Sequence, residues 1–282
     1  MKKTLYLFLL FSMLADAALA GVSVVGGLTR EKALEPGAKF EGTIRLQNNG
    51  EITSQVNVYQ TDYLFYADGS NLYGEPGSAP RSNAQWFTIS PKRLTIPPGE
   101  KASVHYSGQV PEVRELASIT GGLQLLDNPN LVGTYWSMVM IEPEPETDPE
   151  SVEGEAGKVK IGIQTKVRYG IQIVTHIGDT GVSKIRFLDK RLTNHEGEVT
   201  LQLDIENVGE RWLSPTVWVE LYDEGGMQAG RFEAGKKRIY PDCSVSHEVD
   251  LSGVPKGNYK ALVVVDNGDE HVFGARYDLG IE

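Results

Sequence analysis

One uninterrupted run of alternating residues, from Lys158 to Ile173, constrains the fold of this chain more than any other feature. Its odd positions are apolar or β-branched, and its even positions are polar, basic or glycine. Because successive side chains on a strand point to opposite faces, the pattern predicts one β-strand with a buried face and a basic face. At about 3.3 Å per residue the run would reach about 50 Å, whereas an ordinary strand has about 5 to 6 residues. Two interpretations stay open: a central strand shared by two packed domains, or an edge strand that binds a partner.

Residues 1–20 have the pattern of a secretory signal peptide. Two lysines precede an apolar run from Leu5 to Leu14, and Ala18-Leu19-Ala20 forms a cleavage pattern before Gly21. No later apolar run reaches the length of about 18 residues that a membrane helix needs. The sequence therefore predicts an exported protein without a transmembrane segment. We expect it in the periplasm, with secretion or a place on the cell surface as the alternative.

Charge and cysteine content narrow the possible partners. Removal of the signal peptide takes away two lysines and one aspartate, which changes the net charge from −11 to −12. Such acidity argues against a nucleic-acid partner. Cys243 is the only cysteine, so no internal disulfide can form and stability must come from hydrophobic cores. Residues 21–282 are enough for two domains of ordinary size.

The rest of the chain consists of short alternating segments separated by turn dipeptides. These dipeptides are Asn49-Gly50, Asp68-Gly69, Pro98-Gly99, Glu196-Gly197, Gly225-Gly226 and Asn267-Gly268. Regular turns between short strands are typical of β-sandwiches. The sequence predicts an all-β fold, with one helical turn over residues 112–118.

Two halves of the chain repeat each other weakly. The segment from Ile44 to Glu51 is echoed by the segment from Leu203 to Glu210, and in each a strand leads into an Asn-x-Gly-Glu turn. We therefore expect two immunoglobulin-like β-sandwich domains, formed by residues 21–177 and 178–282. Within the first, residues 142–157 form a long acidic loop that begins with seven acids, three prolines and no base in EPEPETDPESVEGE.

The sequence contains no recognisable catalytic or metal-binding pattern. It has no G-x-S-x-G, H-E-x-x-H, C-x-x-C or glycine-rich phosphate loop, and its five histidines lack metal-ligand spacing. We expect no enzymatic activity, no cofactor and no metal. A cluster of aromatic residues between Tyr59 and Tyr73 could stack on sugars, although such residues more often form half-buried sheet surface.

Three segments resemble the periplasmic chaperones of chaperone/usher pilus assembly, the PapD-like family. They are QWFTISPKRLTIPPGEKASV from Gln85 to Val104, GTYWSMVMIE from Gly133 to Glu142, and IGIQTKVRYGI within the long alternating run. The resemblance covers Val22 to about Ile173, and the second domain resembles the family only in its immunoglobulin-like character.

The resemblance implies donor-strand complementation. A chaperone of this family lends its seventh strand to an incomplete, secreted or pilin-like subunit, with an outer-membrane usher as a further partner. Here that strand is the edge strand 158–173, and the implied partner-binding residues are Ile161, Ile163, Thr165, Val167 and Tyr169. The resemblance also implies that Arg168 and Lys32 together anchor the C-terminal carboxylate of the subunit. The alternative is a structural or adhesive protein of the cell envelope that binds other proteins or cell-wall polymer.

Overall fold

A computed structural model describes residues 21–112, 118–119, 122–123, 131–144 and 167–282 of the chain. In this part of the chain the single helical element is a 3-10 turn, Ala84–Trp86, and all other regular elements are β-strands. The predicted all-β fold is therefore confirmed. No helix within the described ranges is long and apolar enough to span a membrane.

The strands of the first half form two main sheets. In chain order they are β1 (Val22–Val25), β2 (Thr29–Leu34), β3 (Lys39–Asn48), β4 (Ser54–Phe65), β5 (Asn71–Gly74), β6 (Phe87–Ser90), β7 (Arg93–Ile96), β8 (Lys101–Gln109), β9 (Ser118–Ile119), β10 (Gly122–Leu123), β11 (Gly133–Pro143) and β12 (Tyr169–Ile177). One sheet has the order β1-β3-β8-β6, and the other has the order β2-β12-β11-β4-β5, with β7 also paired to β4. Among the described residues, β9 and β10 pair with each other and with no further strand. The first half is thus a sandwich, and its core lies between the two main sheets.

The second half is another sandwich. Its strands are β13 (Ile185–His195), β14 (Glu198–Asn207), β15 (Thr216–Tyr222), β16 (Gln228–Lys236), β17 (Ser244–Asp250), β18 (Gly257–Asp266) and β19 (Val272–Ile281). They form the sheets β13-β14-β17 and β16-β15-β18-β19. The alternation predicted from the sequence is visible along β14, where every second residue from Val199 to Ile205 is buried in the core.

The internal repeat corresponds to the same buried turn in both halves. The side-chain amide nitrogen of Asn48 donates to two backbone carbonyl oxygens at 2.7 and 2.8 Å, and that of Asn207 does so at 2.7 and 2.9 Å. Each side-chain oxygen accepts a hydrogen bond from the amide of the glycine two residues later, Gly50 or Gly209. A fully buried amide that satisfies several backbone groups fixes the turn, which explains why the Asn-x-Gly-Glu pattern occurs twice.

Strands β11 and β12 contribute to two cores at once. Ile171 and Ile173 point into the core of the first sandwich, whereas Val174 and Trp136 belong to the same cluster of buried residues as the core of the second. The ring of Trp136 stacks on that of Tyr240, with centroids 4.2 Å apart and an interplanar angle of 15°. The two sandwiches are therefore joined by a shared apolar contact.

The aromatic cluster between Tyr59 and Tyr73 contributes to this contact. Tyr63 and Phe65 lie edge-on to Trp136, with centroid distances of 5.9 and 6.2 Å. Since both rings pack against the second core, they do not form an open platform for sugars.

Two expectations about loops need correction. Glu142 and Pro143 do not lie in the acidic loop but belong to β11, where they pair with Asn57 and Val56 of β4. The helical turn expected at residues 112–118 is replaced at its last position by Ser118 of β9. The remaining residues of both predictions, apart from Glu112 and Glu144, lie outside the described part of the chain.

Candidate strand-docking site and interdomain cleft

The second half of β12 lies inside its sheet. From Gln172 to Ile177 it pairs antiparallel with β11 on one side and parallel with β2 on the other. The expectation of an edge strand up to residue 173 is therefore wrong for Gln172 and Ile173. The cause lies in the first segment of the chain. Its first strand, β1, pairs with β3 in one sheet, and the chain then crosses at Gly26-Gly27 to the other sheet, where β2 pairs with β12.

The first residues of β12 have an open edge. Tyr169, Gly170 and Ile171 pair with β11, but β2 begins only at Thr29, opposite Gln172. The last backbone bond on that side runs from the Gln172 amide to the Leu28 carbonyl oxygen, at 2.8 Å. Because backbone groups of alternate residues point the same way, the N–H and C=O of Gly170 face this open side. No strand in the described ranges pairs with them.

The apolar row of β12 passes from the core to the surface at this edge. Ile171 is fully buried, Tyr169 is half-buried against the first core, and Val167 is 52% exposed. Two further exposed apolar residues, Val25 at 42% and Leu28 at 47%, flank the crossing of the first segment. Ile161, Ile163 and Thr165, the other residues predicted to bind the partner strand, lie outside the described residues.

The structure does not bring Arg168 and Lys32 together. Lys32 lies opposite Thr175 of β12, which is seven residues beyond Arg168 along that strand, a distance of about 20 Å. The two side chains also lie on opposite faces of the sheet, since residues 168 and 175 differ in parity. Lys32 donates from Nζ to the Glu41 carbonyl oxygen at 2.7 Å. The prediction that both side chains hold one carboxylate is therefore wrong.

Arg168 lies on the outer face of the sheet, beside the start of the open edge. Its Nη1 is 3.9 Å from Oε2 of Glu142, which also accepts a hydrogen bond from the Tyr59 hydroxyl at 2.6 Å. Burial, followed by the nearby Glu142 carboxylate, raises the pKa of Tyr59. The Arg168 side chain remains 53% exposed, so it can still contact a partner.

The same face is lined by two buried methionines, Met138 and Met140. A Cβ at position 170 would overlap the end of the Met138 side chain as it stands, so a larger residue here would make that side chain move. Gly170 therefore allows Met138 to lie against the backbone of β12 next to the open edge. Methionine side chains are flexible and polarizable, which suits a surface that packs against different apolar groups.

A polar cleft of about 470 Å³ lies between the two sandwiches, near the C-terminal end of β12. Arg238 donates to Glu31 of β2 at 2.7 Å and stacks on the ring of Trp212, 4.4 Å from its centroid. His176 lies 3.9 Å from the same carboxylate and also stacks on Trp212. Burial lowers the pKa of His176, although the Glu31 carboxylate opposes this shift. Charged and aromatic side chains from both sandwiches thus form an ion-pair network at this cleft.

Sequence reasoning missed this network. Its members come from β2, from β12 and from two segments of the second half, so no spacing in the sequence connects them. One signal was available for His176 alone, because it lies beside the predicted domain boundary at residues 177 and 178.

The described residues contain no group of three or more His, Cys, Asp or Glu side chains that could hold a metal ion. Cys243 is buried in the second core, and burial raises the pKa of its thiol to about 12. A thiol with so high a pKa is a poor nucleophile, as expected for a structural cysteine.

No family model and no curated protein matches this chain, whereas several solved structures are similar to it over nearly its whole length. Among solved structures it is similar to the class 5 fimbriae chaperone CfaA, with a TM-score of 0.43 and 9% identity over 93% of this chain and 100% of that one. It is also similar to a chain from the complex of the Salmonella enterica SafA pilin with the SafB chaperone, with a TM-score of 0.39 and 16% identity over 93% and 97% of the two chains.

A third similar structure is the complex of the chaperone CsuC with the tip subunit CsuE from archaic chaperone-usher pili of Acinetobacter baumannii. The TM-score is 0.43 and the identity 12%, over 90% of this chain and 98% of that one. These solved structures belong to the class of protein that the sequence motifs resemble. Similarity at these identities concerns the fold and assigns no activity to this chain.

Proposed function

We propose that this protein is a periplasmic chaperone-like protein that binds a β-strand of a secreted or pilin-like subunit along the first residues of β12. The observation that carries the proposal is the open backbone edge at Tyr169 to Ile171, where the apolar row of the first core continues outward through Val167. An edge of this kind binds an incoming strand through main-chain hydrogen bonds, and its alternating side chains give specificity.

The proposal gives a reason why β2 begins to pair with β12 only at Thr29. If the residues before Thr29 also paired with β12, they would cover Gly170 and leave no open edge. Because the chain crosses to the other sheet at Gly26-Gly27, the backbone groups of Gly170 are left for a partner. The residues upstream of Val167 would extend this edge with Ile161, Ile163 and Thr165, and the subunit would later pass to an outer-membrane usher.

Strand addition is tested by co-expressing the protein in the periplasm with an exported subunit whose last strand alternates apolar and polar residues. We expect a one-to-one complex in which the Gly170 amide is protected from hydrogen exchange. A complex that leaves this amide unprotected would mean that another surface binds the subunit.

Changing Ile163 and Val167 together to Asp is expected to abolish the complex while leaving the unfolding temperature of the free protein nearly unchanged. Val167 is half exposed and has little transfer free energy to lose, whereas a fully buried side chain would lose about 1.5 to 3 kcal/mol. A matched control is Leu188→Asp with Met227→Asp, which adds the same charge at residues of the second half that are 47% and 73% exposed. If the Ile163 and Val167 variant unfolds instead, the row is ordinary core, and the structural or adhesive alternative is favoured.

Arg168→Ala is expected to weaken the complex about tenfold or more without lowering stability. A half-exposed guanidinium beside the open edge can make charge-assisted hydrogen bonds to a subunit carboxylate, each worth about 1.5 to 3 kcal/mol. Arg45→Ala, at an exposed position on β3 in the other sheet, is the control for loss of one positive charge. Isothermal titration with purified subunit measures both variants, and equal affinities would remove Arg168 from the binding site.

A further inference from the structure

Strand β19 is an edge strand of the second sandwich, and no strand in the described ranges pairs with its outer side. It is the last strand of the sheet β16-β15-β18-β19. All ten of its residues pair with β18, with Val272 opposite Asp266 at one end and Ile281 opposite Gly257 at the other. This pairing has no register shift. In contrast, β13 carries an irregularity between Phe187 and Asp189, and the pairing of β15 with β16 shifts twice. Bulges protect sheet edges from unwanted pairing, and β19 lacks this protection.

The charges on β19 are arranged so that two copies of the strand complement each other. Arg276 and Asp278 both lie on the exposed face, on either side of Tyr277. If two copies pair antiparallel about a twofold axis at Tyr277, Arg276 of each copy lies opposite Asp278 of the other. Opposite charges placed directly across an antiparallel pair are stabilising, and a twofold axis makes the contact twice.

The remaining positions fit the same register. Gly274 then lies opposite Gly280, so no side chain obstructs the approach on the exposed face. On the other face Ala275 lies opposite Leu279, and both pack against the second core. From Gly274 to Gly280 each cross-strand pair thus joins small or apolar residues on the same face, or a charge with its countercharge. A shift of the axis by one residue, to Arg276 or to Asp278, would place like charges opposite each other.

The contacts within one chain leave Arg276 without a countercharge. Asp278 is paired with Lys260 at 2.6 Å, but both side chains are largely exposed. Within the ranges that the structure describes, no carboxylate lies within ion-pair distance of Arg276. A second copy would supply that carboxylate.

Backbone directions on β19 also fit. Lys190 of β13 reaches the Asp278 carbonyl oxygen at 3.5 Å, and Asn194 reaches that of Glu282 at 2.8 Å, so the backbone groups of even-numbered residues point outward. Residues 276 and 278 would therefore exchange both of their N–H and C=O groups across the axis. Lys190 is exposed; docking would displace its long hydrogen bond and its contact with the Tyr277 ring, whose centroid lies 4.5 Å from Nζ.

We propose that a second copy of this chain docks antiparallel along β19, with Arg276 opposite Asp278, to give a twofold dimer with a continuous eight-stranded sheet. One strand pair buries a small interface, so the dimer is weak and dependent on concentration. This surface is separate from the open edge of β12, and the proposal does not depend on the function proposed above.

The test is sedimentation equilibrium of the purified protein and of three variants. We expect reversible dimers for the wild type, and we expect Arg276→Asp or Asp278→Arg alone to raise the dimer dissociation constant about tenfold or more. The double variant with both reversals restores the opposite pairing, so it is expected to recover dimerisation. The circular dichroism spectrum checks that each variant is folded.

Two outcomes would overturn the proposal. One is a wild type that remains monomeric at a concentration of about 1 mM, well above the range of weak complexes. The other is a dimer that tolerates both single reversals, or that Val167→Asp disrupts, because the dimer would then form through another surface.

Discussion

Trp136→Ala is expected to lower the free energy of unfolding by about 3 to 5 kcal/mol, as is usual when a large buried aromatic side chain is truncated. The Trp136 side chain is 4% exposed and packs with the core of the second sandwich although its strand belongs to the first. Truncation removes the stacking on Tyr240 and the edge contacts with Tyr63 and Phe65. The cavity would open in the contact that joins the two sandwiches.

The position of this cavity predicts how the variant unfolds. With Trp136 in place, the two cores share side chains and we expect one cooperative transition. Without it, each sandwich keeps its own core but loses its main apolar link to the other, so scanning calorimetry should resolve two transitions. Urea titration followed by circular dichroism gives the loss of free energy.

Trp218→Ala is the matched control. Trp218 is half-buried on the second sandwich, where Arg231 lies over its ring at 4.0 Å and its Nε1 donates to Glu220 at 3.1 Å. Its loss should cost about 1 kcal/mol and preserve the single transition, as is usual for side chains outside a core. If both tryptophan variants lose the same free energy, the contact at Trp136 is not what couples the sandwiches.

Local rules predicted most of the fold. Turn dipeptides mark real turns: Glu196 and Gly197, between β13 and β14, have φ values of 53° and 92°, as a tight two-residue hairpin requires. The Asn-x-Gly-Glu repeat marks equivalent buried turns because each amide bonds backbone groups two and four residues further on, although its second carbonyl partner, Ile96 or Ile239, lies in a distant segment. The local part of each turn depends on a few neighbouring residues, so it can be read from the sequence.

The candidate site was predicted less well because it depends on which strands meet. Alternation correctly placed Ile171 and Ile173 on one face of β12, but it could not show that β2 would pair beside Gln172 and close the edge there. The pairing of Lys32 with Arg168 was wrong for the same reason. Similar positions in a family do not fix the register of a parallel pair, and a shift changes both the level and the face of a side chain.

The cleft network could not be predicted from spacing at all. Arg238 reaches Glu31 across the junction, and Trp212 stacks between the two halves. The packing of Trp136, Val174, Tyr63 and Phe65 against the second core brings these residues together. Contacts of this kind depend on the arrangement of the domains.

Acid is expected to destabilise the protein through His247. This residue of β17 is fully buried, and neither ring nitrogen has a partner with good hydrogen-bond geometry among the described residues. Burial lowers the pKa of His247 to about 4; the nearby backbone of Ala234 opposes this shift, and the charge of Lys237 adds to it. The folded protein therefore holds this imidazole neutral where the unfolded chain, with a pKa of about 6.5, would protonate it.

The sign and window of the effect follow from proton linkage. Between pH 6.5 and pH 4 the unfolded state binds more protons at this site than the folded state, so stability falls as the pH falls through that range. The difference between the two pKa values corresponds to about 3 kcal/mol, which is fully present above pH 6.5 and lost near pH 4. Burial also lowers the pKa of His176, which acts in the same direction, so the contribution of His247 must be isolated by substitution.

His247→Leu isolates it, because leucine has a similar volume and no buried ring nitrogen is left without a partner. In urea titrations at pH 7.5 and pH 4, we expect the wild type to lose about 3 kcal/mol more than this variant between the two conditions. His105→Leu, at an exposed histidine of β8, should retain the wild-type loss. If the stability of His247→Leu falls with pH as steeply as that of the wild type, then His247 is not the group whose protonation weakens the fold, and the acid sensitivity comes from other groups, such as His176.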